Sequence, residues 1–479
     1  MRLVAWGVLT PLYMEPLANA DVHVTPELVA RFDVPGPRYT SYPTADRFTT
    51  DFDADAAARA LATANARRGD PIGLYVHLPY CPRICTYCAC TVIATKNPAR
   101  VSAYVDLVLA ELAILARHLP DRRRLAQLHL GGGTPNHVPP ADLDRLMRAV
   151  RATFEILPDA ELAIEVDPRL VTTAQLEHLV GLGFSRISFG VQDVDAEVQH
   201  AIGRRQTLAM TENAVVGARQ AGFQSVNMDL VYGLPAQTKE SFAKTLDSLL
   251  ALRPDRVALF AFAYLPWLKA NQRGIDAAKL PDPETKIGFL LSARAALIAA
   301  GYQAIGMDHF ALPHDTLATA GARGHLRRTF QGYTVMPPKL DTVAIGLSAI
   351  GDVGDAYLQN TKELDDYRAA ILAGRLPIER GLALTPDDLA RRFIIQRLTC
   401  DFALDAVELR ARFGAELATD FPLELADLAT LEAQGLVRVS PERVQVTPLG
   451  RLFVRAVAMP FDRYLRERPP QRPAYSRVV

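Results

Sequence analysis

Residues 72–90, "IGLYVHLPYCPRICTYCAC", run from an apolar stretch straight into a loop that holds four of the five cysteines of a 479-residue chain. The stretch "IGLYVHLP" (72–79) has the length and composition of a buried strand, and it ends on Pro79, which cannot donate to a sheet. Cys81, Cys85 and Cys88 follow with three and then two residues between them, and Cys90 comes one residue later. A strand that delivers this much sulfur at its C-terminal end points to a chemical site. Whether the strand-then-loop unit repeats decides the fold.

It repeats. Further β-rich runs read at "LAQLHLGG" (125–132), "AELAIEV" (160–166), "RISFGVQ" (186–192), "SVNMDLVYG" (225–233) and "RVALFAFAYLP" (256–266). Amphipathic stretches of helix length lie between them, such as 99–119 and 210–222. Six successive β-α units imply parallel strands joined by right-handed crossovers, hence an α/β fold, a partial (β/α)6 barrel of TIM type. Chemistry in such barrels gathers at the C-terminal ends of the strands, which is where the cysteine loop begins.

Around this barrel, expected over 71–379 with a β extension near "DTVAIGLSAIG" (341–351), three further parts are read. Residues 1–20 are expected to be a non-structural extension: Pro11, Glu15 and Pro16 interrupt its apolar run, and one basic residue is a weak start for a signal peptide. Residues 21–70 form an N-terminal arm covering the active site, with the Pro-rich "VPGPRYTSYPTA" (34–45) extended and not helical. Residues 380–479 read as a small, mainly helical, winged-helix-like domain, with a helix over 385–398, a two-stranded wing over 436–446 and a final helix from Pro448. Its charges are mixed, so a packing role is expected there and not DNA binding.

Hydrophobic residues at 49% and charged residues at 22% are ordinary for a globular protein and exclude a disordered or fibrous chain. Lys plus Arg and Asp plus Glu both number 53, so no global field favours nucleic acid or an anionic membrane. The longest apolar run, 257–268, is too short to span a bilayer. Clustered cysteines without a disulfide framework fit a reducing, cytoplasmic setting.

Three thiolates at this spacing can hold three corners of a 4Fe-4S cube and leave one iron open for a ligand. A structural zinc ion with Cys90 as its fourth ligand is the alternative, which would make the chain a non-catalytic binding protein. The neighbours of the cluster favour the first reading. "HLGGGTPN" (129–136) lets backbone approach a ligand closely but lacks the Lys and Ser/Thr of a phosphate loop. Glu165, Gln192, Arg204 and Asp229 each fall at or just past a strand end. Singly, each is as well explained as a loop or capping residue.

With Tyr87 ahead of the third cysteine, the Cys81, Cys85, Cys88 pattern resembles the signature of radical S-adenosylmethionine (SAM) enzymes. That resemblance implies a 4Fe-4S cluster whose open iron chelates SAM, and a 5'-deoxyadenosyl radical that abstracts hydrogen. Within the superfamily, "GPRYTSYPTA", "YVHLPYC", "LHLGGGTP", "IEVDP", "GVQD", "NMDLVYGLP", "GMDHFA" and "FQGYT" are similar to the oxygen-independent coproporphyrinogen III oxidase family, from about residue 21 to the C-terminus. The family implies two SAM molecules. Tyr75, Gly132, Glu165 and Ile350 match its positions for the cluster-bound SAM. Tyr87, Gly133, Thr134, Gln192, Arg204, Asp229 and Ala263 match those for the second. Cys90 matches the family's extra, non-ligand cysteine.

The implied reaction turns two propionates of coproporphyrinogen III into vinyl groups in haem biosynthesis, with Tyr75, Glu165 and Arg38 as catalytic candidates. An external low-potential electron donor, an electron acceptor of unknown identity and a monomeric state are expected with it. Arg38 with Tyr39 and Tyr42, and Arg328, are candidate propionate contacts because a guanidinium matches a carboxylate bidentately. His77 and His309 read equally as acids or as buried structural groups, "DRRR" (121–124) as a charged surface loop, and Cys400 as a core thiol. Ala89 and Thr91 depart from the family's Gly and Asn around Cys90. That departure leaves open a related radical SAM enzyme, such as a methyltransferase, acting on another macrocycle, whereas the Cys88-Ala89-Cys90 ending and the "GPRYTSYPT" arm argue against the other alternative, a haem-binding paralogue.

Overall fold

The computed structural model describes residues 24–32, 34–335, 340–467, Tyr475 and Arg477. Residues 1–20, expected as an extension, lie outside them. Six parallel strands form the centre: β1 (Ile72–Leu78), β2 (Arg124–Gly132), β3 (Glu155–Val166), β4 (Arg186–Gln192), β5 (Ser225–Tyr232) and β6 (Arg256–Ala261). Beyond β6 come β7 (Gln303–Gly306) and β8 (His309–Ala311). On the β1 side lie β9 (Asp341–Ile345), β10 (Ile350–Val353), β11 (Ala356–Asn360) and β12 (Ile378–Ala383). The order is β12-β11-β10-β9-β1-β2-β3-β4-β5-β6-β8-β7, with β9 through β6 parallel and the rest antiparallel. Among the described residues no pairing joins β7 to β12, so the barrel is open.

Strand periodicity sorts the side chains into two faces. Leu74, Val76, Leu128, Leu130, Ile164, Ile187, Phe189, Met228 and Leu230 are buried in the core that packs against the helices. Residues of the other parity are largely polar and sit in register: Tyr75 opposite His129, Glu165 opposite Ser188, Ser188 opposite Asn227. They form layers inside the barrel. The lower layer is closed by ion pairs from Glu161 to Arg186 at 2.9 Å and to Arg256 at 3.1 Å. These cations hold the Glu161 carboxyl down to about 2 despite the opposing effect of burial. The upper layer, at the strand ends, is left for the site.

Three local expectations are corrected. Arg122, read as part of a surface loop, is fully buried. It pairs with Asp341 and donates to the carbonyls of Ala64 (3.0 Å), Asp70 (3.0 Å) and Pro71 (2.9 Å), so its buried guanidinium is paired and hydrogen-bonded. The arm is free of helix over 34–44 as expected, but it is not extended throughout, since Tyr39 sits at φ +48° and the chain bends over 40–43, and it continues into an unforeseen helix, Ala54–Ala66, whose first turn is capped by Asp53 accepting from the Ala56 N–H at 2.8 Å. The wing has a third strand, Ala403–Asp405, beside Val437–Val439 and Arg443–Val446. Asp405 also caps the helix Ala406–Phe413, so in sequence this short strand reads as the approach to a helix.

Candidate active site

A cavity of about 730 Å³ opens at the C-terminal ends of the strands, within the size range of small-molecule sites. Its wall includes Cys81, Cys85 and Cys88 from the loop after β1. It also includes Gly132, Gly133 and Thr134 after β2, Glu165 on β3, Gln192 at the end of β4, Arg204, Asp229 on β5, and Ala263 beyond β6. Arg38 and Tyr39 of the arm close one side. Two expected residues stand apart. Tyr75 is one layer deeper, its hydroxyl 3.0 Å from His77 Nδ1 and its ring stacked on His129 with centroids 5.8 Å apart. Ile350 opens β10, where it pairs with Gln359, and it does not line the cavity.

The glycines are there because side chains would not fit. A Cβ on Gly132, whose φ is +117°, would lie 2.6 Å from the His77 ring, and one on Gly133 would lie 2.6 Å from the Pro79 backbone. The Gly132 N–H donates to Glu165 Oε2 at 3.0 Å, while Glu165 Oε1 meets His129 Nε2 at 3.0 Å. Burial pushes the Glu165 carboxyl up, but the His129 contact and the Gly132 N–H outweigh it and the net shift is downward. Asp229 goes the other way. Burial, reinforced by the charge of Glu165, pushes it up to about 6 although Ser188 Oγ (2.9 Å) and Asn227 Nδ2 (2.7 Å) donate to it. The two carboxyls are therefore tuned apart within one cavity. Gln192 sits at φ +69° beside a bulge in the β4–β5 pairing, a strained position for a residue with a side chain.

The cysteine loop is held from several sides. Cys81 Sγ lies 3.1 Å from Thr134 Oγ1. Arg204 Nη1 and Arg169 Nη2 approach Cys85 Sγ at 3.8 and 4.0 Å. A hydrogen bond from Cys90 brings the Cys88 thiol down to about 7, helped by Lys269 and Arg204 against the effect of burial. Burial raises Cys81 to about 11. Three thiols on one wall, two guanidinium groups at one of them and a close-fitting glycine run beside them suit a thiolate-held iron-sulfur group with a cosubstrate that carries a carboxylate. Among the described residues no three Cys, His, Asp or Glu side chains close on a single point as ligands of one metal ion.

Several residues here were not singled out from the sequence. Asp167 lies inside the quoted "IEVDP" and bridges Arg169 (2.6 Å) and Arg204 (3.2 Å). Asn271 Nδ2 donates to the carbonyls of Cys85 (3.1 Å), Thr86 (3.1 Å) and Cys88 (2.9 Å). The fully buried Gln272 donates to the carbonyls of Tyr87 (2.9 Å) and Ala263 (3.1 Å). Tyr475 lines the cavity and donates to Asp46 at 2.8 Å. No periodicity or motif marks the last three. Arg328, expected to meet substrate, is buried behind the wall, where its Nε donates to the Arg38 carbonyl at 2.7 Å and its other nitrogens reach Asp308 at 3.3 and 3.4 Å. His309 is bound there too, with Nδ1 2.6 Å from Asp308. His77 is buried between Tyr75 and the Thr91 carbonyl, and burial lowers its pKa.

The family model of the radical SAM superfamily matches residues 75–249, and that of the HemN C-terminal domain matches 384–453. Oxygen-independent coproporphyrinogen III oxidase of Pseudomonas aeruginosa is 43% identical over 95% of this chain and 98% of its own length. The Helicobacter pylori protein of the same name is 41% identical over 92% and 96%. The chain belongs to the oxygen-independent coproporphyrinogen III oxidase family. A solved structure described as coproporphyrinogen III oxidase (HemN) from Escherichia coli, a radical SAM enzyme, superposes with a TM-score of 0.86 at 43% identity, over 89% of this chain and 98% of that one. The family therefore implies a 4Fe-4S cluster and SAM, and the thiols, glycines and strand-end polar groups fit them. In the family's terms the C-terminal part also serves the site. Arg455 in the helix Val454–Ala458 donates from Nε to the Pro37 carbonyl at 2.9 Å and from Nη2 to that of Gly36, fixing the arm next to Arg38.

Proposed function

We propose that this chain catalyses the anaerobic oxidation of coproporphyrinogen III to protoporphyrinogen IX in haem biosynthesis. Each of two propionates gives up a hydrogen atom from its β-carbon, one electron to an acceptor, and CO2, which leaves a vinyl group. The observation that carries this reading is the cavity itself. Three cysteines, a glycine run and oppositely tuned carboxyls meet at the strand ends under an arm that presents Arg38, in a chain that aligns with the Pseudomonas aeruginosa oxidase over 95% of its length.

Cys81, Cys85 and Cys88 hold the cluster. Bound there, cluster and SAM supply the 5'-deoxyadenosyl radical that takes the hydrogen. Glu165, Gly132, Tyr75 and Ile350 serve one SAM molecule. Of these, Glu165 is kept ionised by His129 and is placed to accept from a positively charged amine, while Tyr75 and Ile350 support from outside the cavity wall. Tyr87, Gly133, Thr134, Gln192, Arg204, Asp229 and Ala263 serve a second. Arg38 meets a propionate, its position fixed by Nη2 donating to the Ala261 carbonyl at 2.7 Å and by Arg328 beneath it. The arm and Tyr475 exclude water from the radical. The chain works as a cytoplasmic monomer that takes electrons from an external carrier.

The test is anaerobic incubation of the reconstituted, reduced protein with SAM and coproporphyrinogen III, following vinyl product and 5'-deoxyadenosine together. Both are expected. Deoxyadenosine without vinyl product would refute the substrate assignment.

A further inference from the structure

The chain is neutral overall, but its charge is not evenly spread around the cysteine loop. No Asp or Glu occurs between Asp70 and Asp106, nor between Asp255 and Asp276. Within these two stretches Arg83, Lys96, Arg100 and Arg273 are exposed, and Lys269 is half-buried. The stretches lie against each other: Asn271 and Gln272 bond to carbonyls of the cysteine loop, and Lys269 Nζ reaches the Cys90 carbonyl at 3.5 Å. Lys269, and Arg273 with its Nε donating to the Pro266 carbonyl at 3.2 Å, therefore give the face beside the cysteine loop a basic surface.

That surface also carries exposed apolar bulk. Trp267 is 52% exposed and Leu268 60%, in a chain that buries most of its large hydrophobic side chains, whereas the exposed Ile84 lines the cavity. A tight turn, with the N–H groups of Leu268 and Lys269 both 2.9 Å from the Leu265 carbonyl, sets the direction of the loop. Leu265 lines the cavity, whereas Trp267 and Leu268 do not. A small molecule inside the cavity would not cover them, but a protein on the outside would. An exposed Trp and Leu flanked by Lys269 and Arg273, with no acidic residue in either stretch of sequence, have the make-up of an interface centre with a charged rim. Trp267 is four residues from Asn271, so their Cα atoms lie within about 14 Å, and Asn271 touches the Cys88 carbonyl.

We infer that the outer face formed by the cysteine loop and residues 264–274 docks a small acidic protein that carries single electrons. This rests on the radical SAM reading and names the partner's site. The carrier passes one electron to the cluster and leaves in its oxidised form, and no proton or chemical group crosses the interface. Electrostatic attraction sets the encounter rate, and the apolar pair sets the lifetime of the complex.

The probe is an acidic flavodoxin, tested against the full-length reconstituted protein. Calorimetric titration measures its Kd, and 5'-deoxyadenosine formation is followed with reduced flavodoxin and, separately, with dithionite. The double variant Trp267→Ser/Leu268→Ser and the single variant Arg273→Glu are each expected to weaken flavodoxin binding by about tenfold or more. Dithionite-driven deoxyadenosine formation should stay within about twofold of wild type. Wild-type binding should also weaken as salt rises. Kd values unchanged in both variants would overturn the inference, and so would variants that raise KM for coproporphyrinogen III under dithionite while binding flavodoxin normally. If the wild-type protein makes no deoxyadenosine even with dithionite, the radical SAM reading fails instead, and the titrations still decide whether the surface binds the carrier.

Discussion

Replacing Asn271 with Leu keeps nearly the same volume and removes the one side-chain amide that gathers three carbonyls of the cysteine loop. Those contacts, at 2.9 to 3.1 Å, share two N–H donors. At about 0.5–1.5 kcal/mol net per donated bond, the loop loses roughly 1–3 kcal/mol of preference for its ordered form. Cluster binding selects that form, so the loss appears as weaker cluster retention, about 5- to 150-fold at 1.4 kcal/mol per decade. The assay is anaerobic titration of the reconstituted protein with a ferrous chelator, following iron release and loss of charge-transfer absorbance, with thermal melting of the cluster-free protein as the control for folding. Asn271→Leu should melt within a few degrees of wild type but release iron at distinctly lower chelator concentration. Iron retention equal to wild type would refute the idea that this amide organises the loop.

Cys81→Ser should lose the visible absorbance of the cluster and Cys90→Ser should keep it, read from spectra and iron content after reconstitution; loss in both would make Cys90 a ligand. Gly132→Ala places a methyl where the His77 ring stands, at a φ of +117° that disfavours any side chain, so SAM binding measured by equilibrium dialysis should fall at least tenfold with the fold retained. Gln192→Gly relieves the strain at φ +69° and should hold or raise the melting temperature while deoxyadenosine formation drops, a trade that Gln192→Ala would not show. Glu111, buried beneath the β9–β10 loop, is pushed up to about 7 by burial, against hydrogen bonds from Tyr367, the Gly346 N–H and Asn360. A raised carboxyl pKa contributes stability that is complete below its unfolded value near 4.5 and is lost as pH climbs through 7. Glu111→Gln should therefore flatten the fall in melting temperature between those pH values, a span worth up to about 3 kcal/mol. Parallel pH profiles for the two proteins would refute it.

What could be read from the sequence was what repeats along it. Strand β1 was expected over 72–79 and runs Ile72–Leu78, and β5 was expected over 225–233 and runs Ser225–Tyr232, because apolar runs bounded by Gly and Pro leave little freedom in where a strand stops. The same logic put Glu165 and Gln192 at strand ends, where they lie; Asp229, expected at an end too, falls inside β5, yet the structure gathers all three around one cavity. It failed where the chain stops repeating. The run 256–266 looks like one strand, but β6 ends at Ala261 and the remainder turns to pack over the cysteine loop. Its apolar residues serve a loop and not the sheet. Arg122 and Asp341 are 219 residues apart, and Asn271 and Cys88 are 183 apart. Whether a cation is buried, or an amide is a clamp, depends on a partner that local pattern does not contain.

This division has a physical consequence for how the site is built. Groups that face the reacting molecules are set by strand parity and register, which tolerate little displacement because a slip of one residue would turn each side chain to the other face. Groups that hold the cysteine loop and the arm come from short elements outside the six central strands: Asn271 and Gln272 from the turn of helix Ala270–Gly274, Arg328 from the strand Leu326–Thr329 and Arg455 from the helix Val454–Ala458. Each of these four donates to backbone carbonyls, Arg328 from a side chain that also pairs with Asp308. A carbonyl is present whatever the side chain, so such a clamp survives sequence change in the segment it holds. Ala89 and Thr91 can therefore differ from the family's usual Gly and Asn without loosening the loop, since its anchors at Cys85, Thr86, Tyr87 and Cys88 are main-chain oxygens.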